Sequence, residues 1–347
     1  MRKTYREAIL EAAAEEMARD DAVIVMGEDV GVYGGGFGAT EGLIETYGPE
    51  RVRNTPVSET AFVGTAIGAA ATGMRPVVEL MFSDFMAVCW DQIMNEAAKI
   101  HYMYAGSVNV PLVIRTAAGA GTGAASQHSQ SLENMYCHVP GLKVVVPSTP
   151  YDAKGLLKTA IRCNDPVIFL EQKLLYNMEG EVPETEYTVP LGKAAVRRQG
   201  DDITLISYGR MVQKCLDAAE ALAEKGWQAE VIDLRTLSPL DTDSVLASVR
   251  KTGRAVIVHE AVQFGGFGGE ISAMIMEEAF DALKAPVRRI GAAYCPVPCA
   301  PEMEKNVLPE TDQIIETAEG ILNFVPTSLA LRIHESRAQA SPAACFH

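Results

Sequence analysis

A glutamate stands at the start of an apolar helix in the first third of the chain. Glu59 follows the strand-like segment 54–58 and precedes a run of small and apolar residues, 61–73. A carboxyl group with little water around it holds its proton more tightly than one in water. Such a group can donate a hydrogen bond or a proton, so Glu59 is a candidate catalytic residue. The alternative is an ordinary acid that the helix dipole stabilises.

A histidine in the segment Gln-His-Ser-Gln, 127–130, is the second candidate. His128 follows a glycine-rich loop, 119–123, and a histidine can act as acid or base near neutral pH. A single histidine is more often structural, which is the alternative for His128. We predict that His101 and His138, which lack comparable surroundings, are ordinary.

A further side chain is a candidate for a binding pocket. Phe85 ends the segment 80–85 and offers an aromatic face that could bury a flat heterocycle. Packing in the core is the alternative for this residue.

Composition limits the classes of function. The chain has 347 residues, 48% hydrophobic and 22% charged, which suggests two domains of roughly 150 residues each. A net charge of -15 argues against nucleic acid as a partner. The charged N-terminal residues begin a helix and not an apolar signal segment, so we expect a cytoplasmic protein. The 7 cysteines form no Cys-x-x-Cys pair and are expected to be reduced, and no second pair supports a metal site at Cys295 and Cys299.

Strands and helices are predicted to alternate. Thr4 and Glu7 have the spacing of a capping box before a first helix, and residues 23–27 are typical of a buried parallel strand. Further strands are predicted at 76–80, 111–115, 143–146 and 166–170, with helices at 86–101 and 153–162. The pattern indicates an α/β fold with a doubly wound parallel sheet.

A break follows, because residues 176–199 contain prolines and acids without helical periodicity. We expect a surface linker there and a second α/β unit after it, with strands at 203–207, 229–234 and 255–258 and helices at 211–225 and 245–250. The predicted domains are 1–190 and 191–330, followed by a flexible tail, 331–347. Glycines at 31–38 fit a dinucleotide fingerprint poorly and are expected to form a flexible loop, whereas those at 265–269 are expected to turn a strand into a helix.

Six segments carry a resemblance to a known family. They are Met-Gly-Glu-Asp-Val-Gly (26–31), Arg-Asn-Thr-Pro-Val-Ser-Glu (53–59), Gln-His-Ser-Gln (127–130), Pro-Gly-Leu-Lys-Val-Val (140–145), Tyr-Asp-Ala-Lys-Gly-Leu-Leu (151–157) and Leu-Arg-Thr-Leu-Ser-Pro-Leu-Asp (234–241). The chain resembles the β subunit of the E1 component of thiamine-diphosphate-dependent 2-oxo acid dehydrogenase complexes, of the pyruvate and acetoin dehydrogenase type. The resemblance implies a pyrimidine-binding thiamine diphosphate domain followed by a transketolase C-terminal-like domain.

The resemblance also implies roles for the candidate residues. Glu59 would hydrogen-bond or protonate the ring nitrogen N1′ of the cofactor, so that the 4′-amino group can act as a base. Phe85 would lie against the aminopyrimidine, and Val57 and Glu28 would be weaker members of the same pocket. His128 would bind the substrate carbonyl and assist transfer of the two-carbon unit to a lipoyl group.

The family binds its diphosphate through Mg²⁺ on a Gly-Asp-Gly segment, which this sequence lacks. In E1 enzymes that segment lies on an α subunit, so the resemblance implies an α₂β₂ heterotetramer in which the α subunit holds Mg²⁺. It also implies that the C-terminal domain joins the β subunits and docks an E2 lipoyl acyltransferase. Surface acids expected at this docking site are Asp201, Asp202, Asp241, Asp243, Glu277 and Glu278. The alternative is an ordinary solvated acidic face.

A structural potassium ion, bound mostly by backbone oxygens, is a further implication of the resemblance. Its positions fall on Leu112, Ala160, Ile161, Cys163 and Asp165. Cys163 departs from the acid that is usual at its position, a change that backbone ligands would tolerate.

The favoured function is therefore cleavage of pyruvate or acetoin on thiamine diphosphate, with the acetyl unit passed to lipoyl-E2. Residues 80–85 and 124–128 look more like the pyruvate and acetoin types than the branched-chain type. A branched-chain 2-oxo acid dehydrogenase E1 β subunit and a noncatalytic partner of the same fold remain the alternatives.

Overall fold

The computed structural model describes residues 1–325. The tail expected at 331–347 lies outside the described residues. The strands are β1 Arg2–Thr4, β2 Val23–Glu28, β3 Val52–Thr55, β4 Arg75–Phe82, β5 Val113–Ala118, β6 Lys143–Val145, β7 Val167–Gln172, β8 Glu179–Glu181, β9 Ala195–Arg198, β10 Ile203–Ser207, β11 Ala229–Asp233, β12 Thr236–Ser238, β13 Ala255–Val262 and β14 Arg288–Ala292. The α-helices are α1 Tyr5–Arg19, α2 Leu43–Tyr47, α3 Glu59–Ala71, α4 Ile100–Met103, α5 Glu133–Cys137, α6 Pro150–Arg162, α7 Met211–Glu224, α8 Thr242–Thr252, α9 Gly268–Glu278, α10 Pro301–Val307 and α11 Thr311–Leu322.

The first sheet has seven strands in the order β12-β6-β7-β5-β4-β2-β3. Its strands are parallel except β12, and the inner strands β2, β5 and β7 are buried along their whole length. The chain passes from β2 to β3 on one side and then returns to β4 on the other. The doubly wound prediction is confirmed, and the crevice between β2 and β4 is the place where such sheets bind ligands.

The capping box predicted at the start of the first helix is present. The Glu7 N–H donates to Thr4 Oγ1 at 3.2 Å, and the Thr4 N–H donates to Glu7 Oε2 at 2.7 Å. A cap of this kind contributes about 1 kcal/mol. It fixes the start of α1, whose apolar side chains pack with those of α6 in one core cluster.

The second sheet has the order β14-β13-β10-β11-β9 and is parallel except for β9. β12 follows β11 in the chain but pairs with β6 of the first sheet, where Ser238 Oγ also donates to the Leu142 carbonyl at 3.1 Å. Leu142 and Leu237 share one buried cluster. The two halves of the chain are therefore joined by a common core, and the division near residue 190 stays a prediction.

The predicted linker, 176–199, is only partly irregular. β8 pairs with β1 at the N-terminus, and β9 pairs with β11. Val182 and Val189 are buried. The expectation of a segment lying wholly on the surface is wrong, because pairing with strands elsewhere in the chain, β1 for β8 and β11 for β9, gives no local sequence signal.

The helix predicted at 86–101 is also different in the structure. The segment forms a 3₁₀ turn at Ser83–Ala87, a π-helical turn at Gln92–Ala97 and then α4. Thr60 of α3 donates a hydrogen bond to the Val88 carbonyl at 2.8 Å, which holds the bend against α3. The irregular turns place Phe85 beside the crevice, and π-helical turns are frequent near functional sites.

The glycine-rich loop 31–38 does not lead directly into a helix, since α2 begins only at Leu43. The Gly36 N–H donates to Glu79 Oε1 at 3.1 Å, and Glu79 is paired with buried Arg115 at 3.2 Å. Gly35 has φ +82°, and a Cβ atom there would lie 2.5 Å from Glu79 Oε1. The loop thus requires glycine to reach the sheet, and its geometry is not that of a dinucleotide-binding turn.

Among residues 1–325 there is no helix with the length and apolarity needed to cross a bilayer.

Candidate active site

The candidate residues lie at the carboxyl ends of neighbouring parallel strands. Glu28 is the last residue of β2, and β3 leads through residues 56–58 into α3, which begins at Glu59. Phe85 lies in the turn after β4, and His128 lies in the loop after β5. Because these strand ends share one edge of the sheet, segments far apart in sequence meet at the crevice.

Glu59 and Glu28 form a buried pair of carboxyl groups, each 9% exposed. The pKa of Glu28 is raised by burial and, after that, by the negative charges of Glu59 and Asp29. Burial together with the Glu59 carboxylate also raises the pKa of the Cys89 thiol, to about 12. The structure thus places both acids in a poorly solvated place, and Glu28 is the one whose pKa this environment raises.

Within the described residues, Oε1 of Glu28 is buried and has no hydrogen-bond partner. A buried acceptor without a partner is costly, and in native structures such groups often belong to functional sites. The helix-dipole alternative for Glu59 is compatible with this geometry, since Glu59 is the first residue of α3.

His128 lies against two phenylalanine rings. Its ring is edge-on to Phe82, with centroids 4.7 Å apart, and edge-on to Phe85 at 5.2 Å. The backbone N–H of His128 donates to the Ala125 carbonyl at 3.3 Å, and the Lys173 ammonium donates to the backbone carbonyl of His128. Burial lowers the pKa of Lys173. The aromatic faces and the lysine fix the main chain and the ring of His128 at the mouth of the crevice.

Two of these residues were missed by sequence reasoning. Phe82 lies in the segment that contains Phe85, so its aromatic type was a signal that could have been used. Lys173 directly follows β7 but has no motif around it, and only its contact with the His128 loop identifies it.

Gln130 ties this loop to the turn after β4. Its backbone N–H and its Nε2 donate to Asp84 Oδ1 at 3.3 and 2.7 Å, and its carbonyl accepts from Ser83 Oγ at 3.2 Å. The Gly119 N–H donates to the same carbonyl at 3.2 Å. Gln130 therefore holds the turn of Phe85 and the loop of His128 together.

A cavity of about 590 Å³ lies on the other face of the His128 loop, toward the C-terminal half. Its lining includes Gln127 and Leu132 of the loop and Glu260, Tyr294 and Leu308 of the C-terminal half. Glu59 and Phe85 do not line it. The paired acids and the aromatic rings lie at the crevice and not at this cavity, so the crevice is the candidate site.

The structure does not bring Val57 into a pocket, since its side chain is 80% exposed. Phe85 contacts His128, and Glu59 lies beside Glu28. The role of Val57 stays a prediction.

The predicted potassium positions do cluster in space, but side-chain cations already lie among them. Arg75 Nη1 donates to the carbonyls of Ile161 and Cys163, both at 3.0 Å. The Lys143 ammonium lies 2.6 Å from Asp165 Oδ2 and 3.1 Å from Cys163 Sγ. A potassium ion would have to share these oxygens with Arg75, so potassium binding stays a prediction.

The carbonyl of Leu112 accepts from the Val167 N–H at 2.8 Å, and that of Ala160 accepts from the Cys163 N–H at 3.1 Å. Among residues 1–325 no group of three His, Cys, Asp or Glu side chains has the spacing of a metal site.

Two domain families match the chain. The transketolase pyrimidine binding domain matches residues 2–179, and the transketolase C-terminal domain matches residues 192–314. Solved structures agree on the fold. The chain superposes on a split-gene transketolase, described as an inactive β4 tetramer, with a TM-score of 0.76 at 22% identity, covering 92% of this chain and 97% of that one.

Curated relatives are much more similar in sequence. The β subunit of the acetoin:2,6-dichlorophenolindophenol oxidoreductase of Cupriavidus necator is 51% identical over 90% of this chain and 95% of its own length. The Bacillus subtilis protein of that name is 47% identical over 91% and 96%. The pyruvate dehydrogenase E1 component subunit β of Rickettsia felis is 46% identical over 93% and 99%.

Proposed function

This chain belongs to the family of acetoin dehydrogenase and pyruvate dehydrogenase E1 β subunits, and we propose that it cleaves pyruvate or acetoin with thiamine diphosphate. The single observation that carries the proposal is the buried Glu28 and Glu59 pair at the crevice, with an acceptor oxygen that has no partner among the described residues. This pair lies at the same strand-end edge as the rings of Phe82, Phe85 and His128.

The residues present fit the aminopyrimidine ring of the cofactor. When bound, thiamine diphosphate supplies the carbon nucleophile and accepts the electrons of the bond that breaks. Glu59 holds a hydrogen bond or a proton at the ring nitrogen N1′. The Glu28 oxygen that has no partner among the described residues would accept a further hydrogen bond from the bound ring. Phe85 would cover a flat face of that ring and exclude water.

His128 acts at the substrate side of the crevice. In this proposal it binds the substrate carbonyl through its ring and assists transfer of the two-carbon unit to a lipoyl group of an E2 acyltransferase. The edge-on packing against Phe82 and Phe85 supports this role, because it orients the imidazole without using either ring nitrogen.

We further propose that the chain works only with an α subunit, in an α₂β₂ heterotetramer in the cytoplasm. The sequence lacks the Gly-Asp-Gly segment that would hold Mg²⁺ and the diphosphate. Val57 lies two residues before Glu59, and the carbonyl of Val88 accepts a hydrogen bond from Thr60, the residue after Glu59. Val57 and Val88 are exposed at 80% and 56%. Exposed apolar side chains beside a crevice support the contact of a second subunit.

The acidic docking surface needs one correction. Asp241 is buried and caps α8, accepting from the Ser244 N–H at 3.3 Å and the Ala194 N–H at 3.0 Å. It is not a surface acid. Asp243, Glu277 and Glu278 are exposed and support the proposal that this face binds a basic domain of E2.

The test is a steady-state assay of the chain reconstituted with its α subunit, thiamine diphosphate and Mg²⁺. Pyruvate, acetoin and a branched-chain 2-oxo acid are compared, with 2,6-dichlorophenolindophenol as electron acceptor. We expect turnover of pyruvate or acetoin. Turnover of the branched-chain acid alone would support the alternative substrate, and no turnover of any of the three would support a noncatalytic partner.

A further inference from the structure

Two buried carboxylates of the C-terminal half accept hydrogen bonds from the glycine-rich loop that precedes His128. Glu304 of α10 accepts from the Gly121 N–H at 2.7 Å through Oε1 and from the Gly123 N–H at 2.9 Å through Oε2. Glu260 of β13 accepts from the Ala120 N–H at 2.6 Å. Glu304 and Glu260 are only 3% and 4% exposed. Three backbone amides of the loop thus donate to acids that lie 140 residues or more away in sequence.

The loop has the backbone that such contacts require. Gly119, Gly121 and Gly123 have φ values of +87°, +99° and +68°. A Cβ atom at Gly119 would lie 2.7 Å from Glu260 Oε1, and one at Gly121 would lie 2.5 Å from a methyl group of Leu174. Glycine lets these amides turn toward the carboxylates, whereas a larger residue would be strained and would clash.

The two acids differ in their other partners. Glu260 also accepts from Arg210 Nε at 2.8 Å, so its charge is shared with a guanidinium. Glu304 forms no ion pair in the described part of the chain, and its two oxygens are each used by one loop amide. Hydrogen bonds from neutral N–H groups to a buried carboxylate are short and strong. Among residues 1–325, the side-chain hydrogen bonds of Glu304 are therefore made to this loop alone.

We propose that Glu304 is a positioning residue, through which the C-terminal half sets the loop that carries His128. Glu304 lies close to His128 along the loop. Only one residue separates Gly123 from Ala125, whose carbonyl accepts from the backbone N–H of His128. This inference rests on the function proposed for His128. It assigns a role in catalysis to the C-terminal half, for which the sequence suggested contacts only.

The first test is hydrogen exchange on the isolated full-length chain, which needs no cofactor and no α subunit. In Glu304→Ala we expect the amides of Gly121 and Gly123 to exchange at least about tenfold faster, because both lose their acceptor. Glu304→Gln should give a smaller increase, since its amide oxygen still accepts one bond. Glu302→Ala, on the exposed side of α10, is the matched control and should change nothing. Unchanged exchange in Glu304→Ala would overturn the proposal.

The second test separates positioning from mere stability in the reconstituted enzyme. A displaced histidine loop should lower kcat roughly 10- to 100-fold, shift the pH profile of kcat and leave the affinity for the α subunit unchanged. Glu304→Gln should restore part of the rate. If Glu304→Ala is poorly folded, the proposal is tested with Glu304→Gln alone. Faster exchange of the Gly121 and Gly123 amides together with a shifted pH profile of kcat would support it, and wild-type values of both would overturn it.

Faster loop exchange with a wild-type kcat and pH profile would also overturn the proposal. Absence of turnover in the wild-type enzyme would instead contradict the proposed function, and the exchange result would stand.

Discussion

The ring of Phe85 meets the ring of His128 edge-on, with centroids 5.2 Å apart and planes inclined by 79°. The contact packs the imidazole against an aromatic neighbour beside the crevice. Edge-to-face aromatic pairs contribute about 0.5–1.5 kcal/mol beyond the burial of their area.

Replacing Phe85 should disturb both the cofactor and His128. In Phe85→Ala we expect weaker binding of thiamine diphosphate to the α/β enzyme and a fall in kcat of roughly tenfold, as the ring of His128 loses a packing partner. Phe85→Leu should have a cofactor affinity and a kcat between those of the wild type and of Phe85→Ala. Phe280→Leu, which changes an exposed ring, is the control. Wild-type cofactor affinity and kcat in Phe85→Ala would leave this residue as ordinary core.

Glu59→Gln should abolish most turnover and leave assembly with the α subunit intact. The amide cannot share a proton with N1′, and loss of acid–base catalysis typically costs about 10²- to 10⁴-fold. Turnover is measured with pyruvate and acetoin, and assembly by sedimentation. The control is Glu45→Gln, an exposed acid of α2. Turnover within a few-fold of wild type would show that Glu59 has been assigned wrongly.

Glu28 should make stability depend on pH. Burial and neighbouring negative charge raise its folded pKa above the unfolded value. The stability that its protonated form contributes is therefore full below the unfolded pKa, about 4.3, and is lost as pH rises through the folded pKa. Glu28→Gln should raise the Tm of the isolated chain at pH 7, with a gain that shrinks as the pH falls.

Glu45→Gln serves again as the control for that measurement, because its side chain is exposed. A gain in Tm that is the same at pH 7 and pH 5 would mean that the Glu28 charge is not its source.

The isolated chain should bind thiamine diphosphate poorly, because the sequence has no Gly-Asp-Gly segment for Mg²⁺ and the diphosphate. Titration calorimetry with and without Mg²⁺ measures this directly, and the same titration on the α/β pair is the positive control. Micromolar, Mg²⁺-dependent binding by the isolated chain would reveal a diphosphate site within it.

Docking of E2 is best tested by charge reversal and not by truncation. Removal of the C-terminal half would delete β12 from the first sheet and so disturb the site itself. We expect Glu277→Lys with Glu278→Lys to weaken binding of the basic subunit-binding domain of E2 at least about tenfold at low salt, and less at high salt. The matched control reverses Glu45 and Glu50. Equal loss in both pairs would contradict a docking role for α9.

Local sequence patterns determined much of this fold. The strand predicted at 203–207 is β10, and the capping box of Thr4 and Glu7 begins α1, because hydrophobic alternation and cap spacing act over a few residues. Glu59 could be singled out in the same way, as an acid at the start of an apolar helix. The resemblance then supplied its chemistry, and no contact was needed to find it.

Only the tertiary structure decided which remote groups surround these residues. Glu304 contacts Gly121 across 183 positions, Lys173 reaches the His128 carbonyl across 45, and β12 joins a sheet that begins in the other half of the chain. Glu304 and Lys173 bond to distant backbone groups and β12 pairs with a distant strand, so these contacts leave no periodicity in the sequence. The contacts of Glu304 and β12 exist because the two halves pack on a common core, and most buried carboxylates and amides in folded proteins have a hydrogen-bond partner.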